Sequence, residues 1–360
     1  MLASADSYYL TGQPLSFEVL EAVGTASVRM VACEMGMGRV AESRKVIADR
    51  LIAGLPVYGS NTGVGSMKDR LWTVDDLMEF NANLVRAHHF GTGEPFSLPI
   101  VRKGIAIRVN TALGGFSGCS PDLVAAFLSL LEKDVVPVVR RHGSMGCADI
   151  GLMGQVASAL TGEGEAWYRG ERLPAAAALE RAGLKPFRMQ PRDALAALSV
   201  NAIAHAAAAD VAREAAKAIR NLMVTGMMSS LALGASADPW RVAARLSGHG
   251  EALAGKWFEA QASSGSWPKP SAIHDPLSLR MTAQVFGACL DTLMNAAERI
   301  VEATAQTDDN PVVLDHAVMA SGGSLPLSTA LYVEAAQTGF AHLARNVLNR
   351  CVLLSNGVRR

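Results

Sequence analysis

The feature that most constrains this chain is a proline-free run of about forty residues, 193–233, rich in alanine, leucine and methionine and holding few glycines. Side chains of this kind lose little freedom in a helix. A helix of that length is long for a compact domain and draws its stability from an apolar face packed on something else. Met281–Ala303 and Ser328–Leu354 repeat the theme. Three long apolar helices need partners, and an oligomeric helical bundle buries them. The expected fold is therefore mainly α: a long-helix bundle over 191–360, preceded by a smaller, loop-rich helical part over 1–190.

The N-terminal part supports that division. Thr73, with Asp76 three residues on, predicts a helix N-cap. Leu77, Phe80, Leu84 and His88 then recur at helical spacing as one face. Further helices are expected over about 122–133 and from Asp149 to Leu160, the latter stopped by Gly162 and Gly164. Val135–Val139 reads as strand or extended chain interrupted by Pro137. Ala260–Pro276 and Ala317–Pro326 read as loops.

Composition excludes several classes of function. Lysine plus arginine equals aspartate plus glutamate, 33 each, so nothing advertises a nucleic-acid surface. The five cysteines show no metal-ligand spacing, and no HExxH or Cys/His cluster or phosphate loop is present, so neither metal nor cofactor is expected. The start of the chain does not read as a signal peptide, which favours a reducing, cytoplasmic setting. Charged residues interrupt the apolar stretches, so no membrane span is expected.

Ordered motifs carry more information. Residues 58–65 read Tyr-Gly-Ser-Asn-Thr-Gly-Val-Gly, and 143–149 read Gly-Ser-Met-Gly-Cys-Ala-Asp. Between and after them come Ala87-His88-His89-Phe90-Gly91, a Leu-x-Gly-Glu-Gly-Glu-Ala ending at 160–166, His274-Asp275-Pro276-Leu277-Ser278-Leu279-Arg280, Asp309-Asn310-Pro311 and Ser321-Gly322-Gly323. Together these resemble the aromatic amino acid ammonia-lyase and aminomutase family, which includes histidine and phenylalanine ammonia-lyases. The resemblance implies a long-helix fold of the ammonia-lyase and fumarase-like type and a homo-oligomer, a tetramer in the family, with composite sites. It also implies a small carboxylate or amino-acid-derived substrate.

The departures fall on chemistry. In the family the second motif continues as Ala-Ser-Gly, which cyclises to an electrophilic methylidene-imidazolone ring. Here those positions read Cys147, Ala148 and Asp149. The family's asparagine falls at Ser199, its glutamine at His274 and its tyrosine at Leu277, and Gly323 is followed by Ser324-Leu325-Pro326. The match ends near Arg345–Arg350, short of the C-terminal region that supplies the family's catalytic glutamate, so the chain is expected to be naturally short or a fragment.

Each candidate residue has a functional and a structural reading. Tyr58 matches the family's catalytic tyrosine and sits in a glycine-bounded loop with Asn61; the alternative is a loop phenol capping backbone. A phenol titrates near about 10, so work as a base near neutrality needs assistance. His88 is a pocket histidine or a helix terminator. Arg280 matches the arginine that grips a substrate carboxylate, and its planar fork suits that task; the alternative is an ion pair. Asp149 is a base, an amine ligand or a helix cap. Cys147 is a thiolate or packing. His274 is an acid–base group or a loop histidine. Asn310 fixes a turn before Pro311 or reaches substrate, Ser199 and Asn201 are weaker candidates on the long helix, and Leu84 and His89 are candidates for side-chain selection.

Ala148 has no hydroxyl to lose. Two functions follow. One is a ring-independent lyase, isomerase or cyclase that abstracts a proton with Tyr58, assisted by His88 or Asp149, while Arg280 holds a carboxylate. The other is a non-catalytic relative that binds a carboxylate metabolite or a protein partner.

Overall fold

The computed structural model describes residues 7–73, 76–270 and 272–356. The chain divides into two compact units, Met1–Ala209 with Ile300–Pro326, and Asp210–Arg299 with Leu327–Arg360. The architecture is mainly α-helical with long helices, as the apolar periodicity requires.

In the first unit, β1 (Ser7–Leu10) pairs in parallel with β2 (Arg29–Ala32), joined by α1 (Phe17–Gly24). Next come α2 (Glu34–Ile52) and α3 (Leu77–Ala87). The expected cap at Thr73 is displaced: α3 starts after Asp76, whose carboxylate accepts the Thr73 hydroxyl at 2.5 Å. Val74 and Asp75 lie outside the described residues. The buried stripe of α3 is Leu77, Asn81, Leu84 and Val85, so Phe80 stands at its edge and His88 ends the helix.

Strand β3 (Thr92–Pro95) leads into α4 (Leu98–Ala112), which is buried at Val101 and throughout 103–112. A helix enclosed on all sides is the centre of its unit. Its polar residues are satisfied internally: Asn110 accepts from Gly12 N and donates to Gln13 O and Thr304 O. Helix α5 (Pro121–Glu132) begins at Ser120, whose hydroxyl accepts from Leu123 N. Strands β4 (Val135–Pro137) and β5 (Arg140–His142) follow, the latter antiparallel to β3. After α6 (Ile150–Leu160), β6 (Glu165–Tyr168) pairs antiparallel with both β4 and β7 (Glu171–Pro174). Helix α7 (Ala175–Arg181) completes this stretch.

The long run foreseen over 193–233 is two helices. Helix α8 (Asp193–Leu198) stops at Ser199, whose ψ of 70 leaves the helical region, and α9 (Ala202–Ala232) restarts after Asn201. Ser199 and Asn201 therefore occupy a break rather than a helix face. By length and composition alone, Asp193–Ala232 could cross a membrane, against the expectation of no such stretch, and 72% of its most apolar window is buried within the protein. The segment Ala317–Pro326, read as loop from the sequence, opens with a strand: β9 (Ala317–Met319) pairs antiparallel with β8 (Val312–Leu314).

A fully buried charge cluster ties the first unit together. Arg108 on α4 donates both Nη atoms to Asp309, at 2.9 and 3.2 Å. Arg192 reaches Asp309 at 3.4 Å, Ser117 O at 2.7 Å and Pro311 O at 2.7 Å. Asp193 accepts Ser120 N and Oγ and lies 3.8 Å from Arg44.

In the second unit, α10 (Asp238–Leu246) and α11 (His249–Ser263) pack as a pair, and α11 extends four residues into the segment read as loop. Trp240 stacks on Phe258 at 5.2 Å, Trp267 meets Trp240 edge-on, and its indole N–H donates to Ala235 O. Helices α12 (Leu277–Arg280), α13 (Thr282–Ala303) and α14 (Leu327–Ser355) complete the chain. Arg350 on α14 donates to Ser229 Oγ on α9, and a Cβ at Gly339 would fall 2.7 Å from Thr292 Oγ1 on α13. The long helices thus touch closely where small residues allow it.

Candidate functional site

Tyr58 occupies a loop folded tightly on itself. Gly59 (φ 63) and Gly65 (φ 58) take conformations that favour glycine, and a Cβ at Gly59 would lie 2.3 Å from the Leu195 side chain on α8. Asn61 serves this loop: its Oδ1 accepts from Val57 N at 2.7 Å and its Nδ2 donates to Leu55 O at 3.0 Å. Thr62 Oγ1 accepts from Gly59 N and donates to Gly63 O. These bonds leave Tyr58 half-buried, with Gly65 N–H donating to its Oη at 3.1 Å. A backbone donor therefore faces the oxygen that carries the negative charge in the tyrosinate form, the form that accepts a proton.

His88 closes α3, and its Nδ1 lies 2.7 Å from Leu84 O, the bond of a helix terminator. Its carbonyl abuts α6 so closely that a Cβ at Gly154 would fall 2.0 Å from it. His89 is exposed, with its ring against Gly164, and Leu84 is in the α3 core.

The segment 143–149 meets the break before α9. Cys147 is exposed, with Sγ 3.5 Å from Ser324 Oγ. Ala148 is buried with φ 61; its N–H donates to Ser324 O and its carbonyl accepts from Val200 N. Asp149 (φ 43) precedes α6 but its side chain does not cap that helix. Its Oδ1 accepts from Ser144 Oγ at 2.6 Å, and its Oδ2 accepts from Ala204 N in the first turn of α9 at 3.0 Å. The reading of Asp149 as the cap of α6 is therefore overturned, and its side chain serves the first turn of α9 instead. Burial raises the Asp149 pKa, opposed by the bonds from Ser144 and Ala204.

Ser199 is buried at the break, and Asn310 braces the neighbouring loop by accepting from Ser321 N at 2.9 Å. The Asn310–Pro311 bond is cis. Asn201 is fully buried; its N–H and Nδ2 both donate to Asp308 Oδ2, at 2.6 and 2.8 Å, and Nδ2 also donates to Ser324 O. Asp308, Ser324 and Ser144 were not among the sequence candidates. The one signal for Asp308 was the acidic pair Asp308-Asp309 itself.

His274 and Arg280 belong to the second unit. His274 is exposed on the approach to α12, while Asp275 beside it accepts from Ser236 N at 2.6 Å. Arg280 ends α12, half-buried, and among the described residues no ion pair or hydrogen bond holds its guanidinium. The structure thus brings Cys147, Ala148, Asp149, Ser199 and the loop braced by Asn310 together. It leaves Tyr58 and Asn61 in their own loop and His88 at the end of α3. No group of three or more potential metal ligands occurs among the described residues.

Comparison with known proteins agrees with this architecture. The chain is 35% identical over 340 residues to a histidine ammonia-lyase of Stigmatella aurantiaca, covering 91% of this chain and 66% of that protein. It is 30% identical to a histidine ammonia-lyase of Bacillus cereus, covering 93% of this chain and 68% of the relative. The chain thus spans about two thirds of the length of these relatives. Among solved structures, ergothionase from Treponema denticola superposes with a TM-score of 0.91 at 28% identity, over 97% of this chain and 72% of that one. Phenylalanine aminomutase from Pantoea agglomerans shares the fold, with a TM-score of 0.89 at 19% identity over 96% of this chain and 72% of that one. The family model for aromatic amino acid lyases matches residues 15–360, so the chain belongs to that family.

Proposed function

We propose that this protein is a proton-abstracting lyase, isomerase or cyclase acting on a small amino-acid-derived carboxylate, working as a homo-oligomer without the methylidene-imidazolone ring. The observation that carries the reading is the loss of the ring precursor beside the retention of Tyr58 and Arg280. Ring formation needs a serine hydroxyl that leaves as water, and Ala148 has none. Its N–H and carbonyl are engaged by Ser324 and Val200, and the Asp149 carboxylate is engaged by Ser144 and Ala204. These residues do not fit the ring.

What the chain supplies instead is a base and an anion ligand. Tyr58 takes the acidic proton, with Gly65 N–H facing its oxygen. Arg280, without an ion pair among the described residues, grips a carboxylate through its fork. Asp149 is engaged by Ser144 Oγ and Ala204 N, and His88 is held through Nδ1 by Leu84 O; His88, through Nε2, and His274 are the candidates for the second acid–base group. Relatives named for histidine and ergothioneine chemistry make histidine-derived carboxylates the first class to test. Exposed apolar residues on α9 and α14, among them Met228, Leu331 and Leu348, support association of several copies.

The test incubates the purified protein with histidine-, phenylalanine- and tyrosine-derived carboxylates and follows products by chromatography and mass spectrometry. Loss of an amine or other leaving group marks a lyase, and rearrangement at constant mass marks an isomerase or cyclase. Tyr58→Phe is expected to lower kcat by about 100-fold or more, while Arg280→Ala raises KM. Ring absorbance with aromatic deamination in the pure protein overturns the reading. A carboxylate that binds and returns unchanged points to the non-catalytic alternative.

A further inference from the structure

Two carboxylates converge on the start of α9 from outside that helix. The first amides of a helix have no intrahelical acceptor, and its positive end favours an anion. Asp149 takes Ala204 N and Asp308 takes Asn201 N. The Asp308 contact belongs to a closed circuit. Asp308 Oδ2 accepts from Asn201 Nδ2, and Asn201 Nδ2 donates to Ser324 O. Ser324 O accepts from Ala148 N, and Ala148 O accepts from Val200 N, the residue before Asn201. The Ser324 hydroxyl lies against the Cys147 thiol.

The circuit has two loose ends. Among the described residues, Asp308 Oδ1 and Asn201 Oδ1 are buried acceptors with no hydrogen-bond partner. Asp308 is 5% exposed and Asn201 0%. An unmade bond at such a site is costly, and a charged oxygen there is costlier still. A proton on Asp308 Oδ1 removes the charge and turns one orphan acceptor into a donor. A cap that only had to accept two N–H bonds would not need an ionisable group.

We propose that Asp308 is the positioning residue of the Cys147–Asp149 segment: acting through Asn201 and Ser324, its carboxyl holds Ala148 and the neighbouring thiol in place, and holds them more tightly when protonated than when charged. The inference rests on the reading of that segment as part of the site. The groups around Asp308 agree in direction. Burial raises its pKa most, to about 6, and neighbouring Asp309 adds to this, while the bonds from Asn201 and the charge of Arg108 on α4 oppose it. Asn201 at the break before α9 and Ser324 in the adjoining loop bring no titratable group.

The sign follows from linkage. Opening the circuit exposes Asp308 to water and returns its pKa toward 3.8. Opening is therefore disfavoured by protons and grows as pH rises, by about tenfold between pH 5 and pH 7.

The experiment is amide hydrogen exchange on the full chain at pH 5 and pH 7, corrected for intrinsic exchange and read at Ala148 and Val200. Phe187, whose N–H donates to Leu160 O, serves as the reference amide. The expected result is about tenfold less protection at Ala148 and Val200 at pH 7, with Phe187 unchanged and the dependence absent in Asp308→Asn. Equal protection of Ala148 at the two pH values in the wild-type chain overturns the proposal without any variant. So does a pH dependence that survives in Asp308→Asn, and a uniform loss of protection in that variant beside a pH-flat wild type marks a merely structural cap. Because exchange needs no substrate, a chain that turns over nothing yet shows this dependence refutes the catalytic reading and keeps the positioning one.

Discussion

Replacing Asp309 by asparagine removes the anion shared by two buried guanidinium groups. Asp309 is 0% exposed, Arg108 1% and Arg192 0%. The carboxylate accepts four bonds, two from Arg108, one from Arg192 and one from Thr307 Oγ1. Burial pulls both guanidinium groups toward neutrality. At Arg108 the neighbouring anions, Asp309 first, outweigh it and the net shift is upward; at Arg192 burial wins and the shift is downward. Among the described residues Arg192 Nη1 has no hydrogen-bond partner, so this guanidinium already lacks one bond. Removing one partner of a buried pair costs about 3–5 kcal/mol, and two orphaned cations place Asp309→Asn at the upper end, about 4–5 kcal/mol. Urea unfolding followed by circular dichroism at pH 7 measures this. The matched triple replacement Asp309→Leu, Arg108→Met, Arg192→Met removes the charges together and is expected within about 2 kcal/mol of wild type, because desolvation is then relieved. A loss below about 1 kcal/mol for Asp309→Asn refutes the claim that this anion compensates both arginines.

Three further outcomes are expected. Gly154→Ala places a methyl 2.0 Å from the His88 carbonyl oxygen, a backbone atom that cannot rotate away, and costs about 3 kcal/mol in urea unfolding; Gly146→Ala, with nothing nearby but φ 76, costs about 1 kcal/mol. Trp240→Ala removes the ring that both Phe258 and Trp267 meet and lowers stability by about 3–5 kcal/mol, with a loss of near-ultraviolet circular dichroism. For Asp308 the folded chain binds its proton more tightly than the unfolded chain, so the contribution worsens as pH rises from about 4 to about 6. The wild-type minus Asp308→Asn stability difference should shift by about 2 kcal/mol over that range, and a flat difference curve rejects the assignment.

The helices were legible where their stability comes from an apolar face: α5, α6, α13 and α14 lie within a residue or two of the periodic runs that announced them. The break at 199–201 was not. Ser199, Val200 and Asn201 carry no proline or glycine, and α8 ends there because Val200 N and Asn201 N bond to Ala148 and Asp308, partners remote in sequence. The same limit hid part of the site. Tyr58 and Arg280 could be picked out by their motifs, but the partner of Tyr58 is a backbone N–H, and a backbone group carries no sequence signature. Asp149 looked like a local cap and instead serves a helix that starts more than fifty residues later. Asp308 could be read as a turn residue because nothing local reveals burial.

The start of α9 also has a consequence for the order of events in folding. The body of this helix is encoded locally, by alanine and leucine, and its interior hydrogen bonds close over four residues. Its first turn is completed by residues 55, 107 and 123 positions away. Contacts that close such long loops are slow to form. The most strongly encoded helix of the chain therefore acquires its N-terminal boundary late, when the 143–149 and 308–324 segments arrive together, and the geometry around Cys147 becomes fixed only at that closing step.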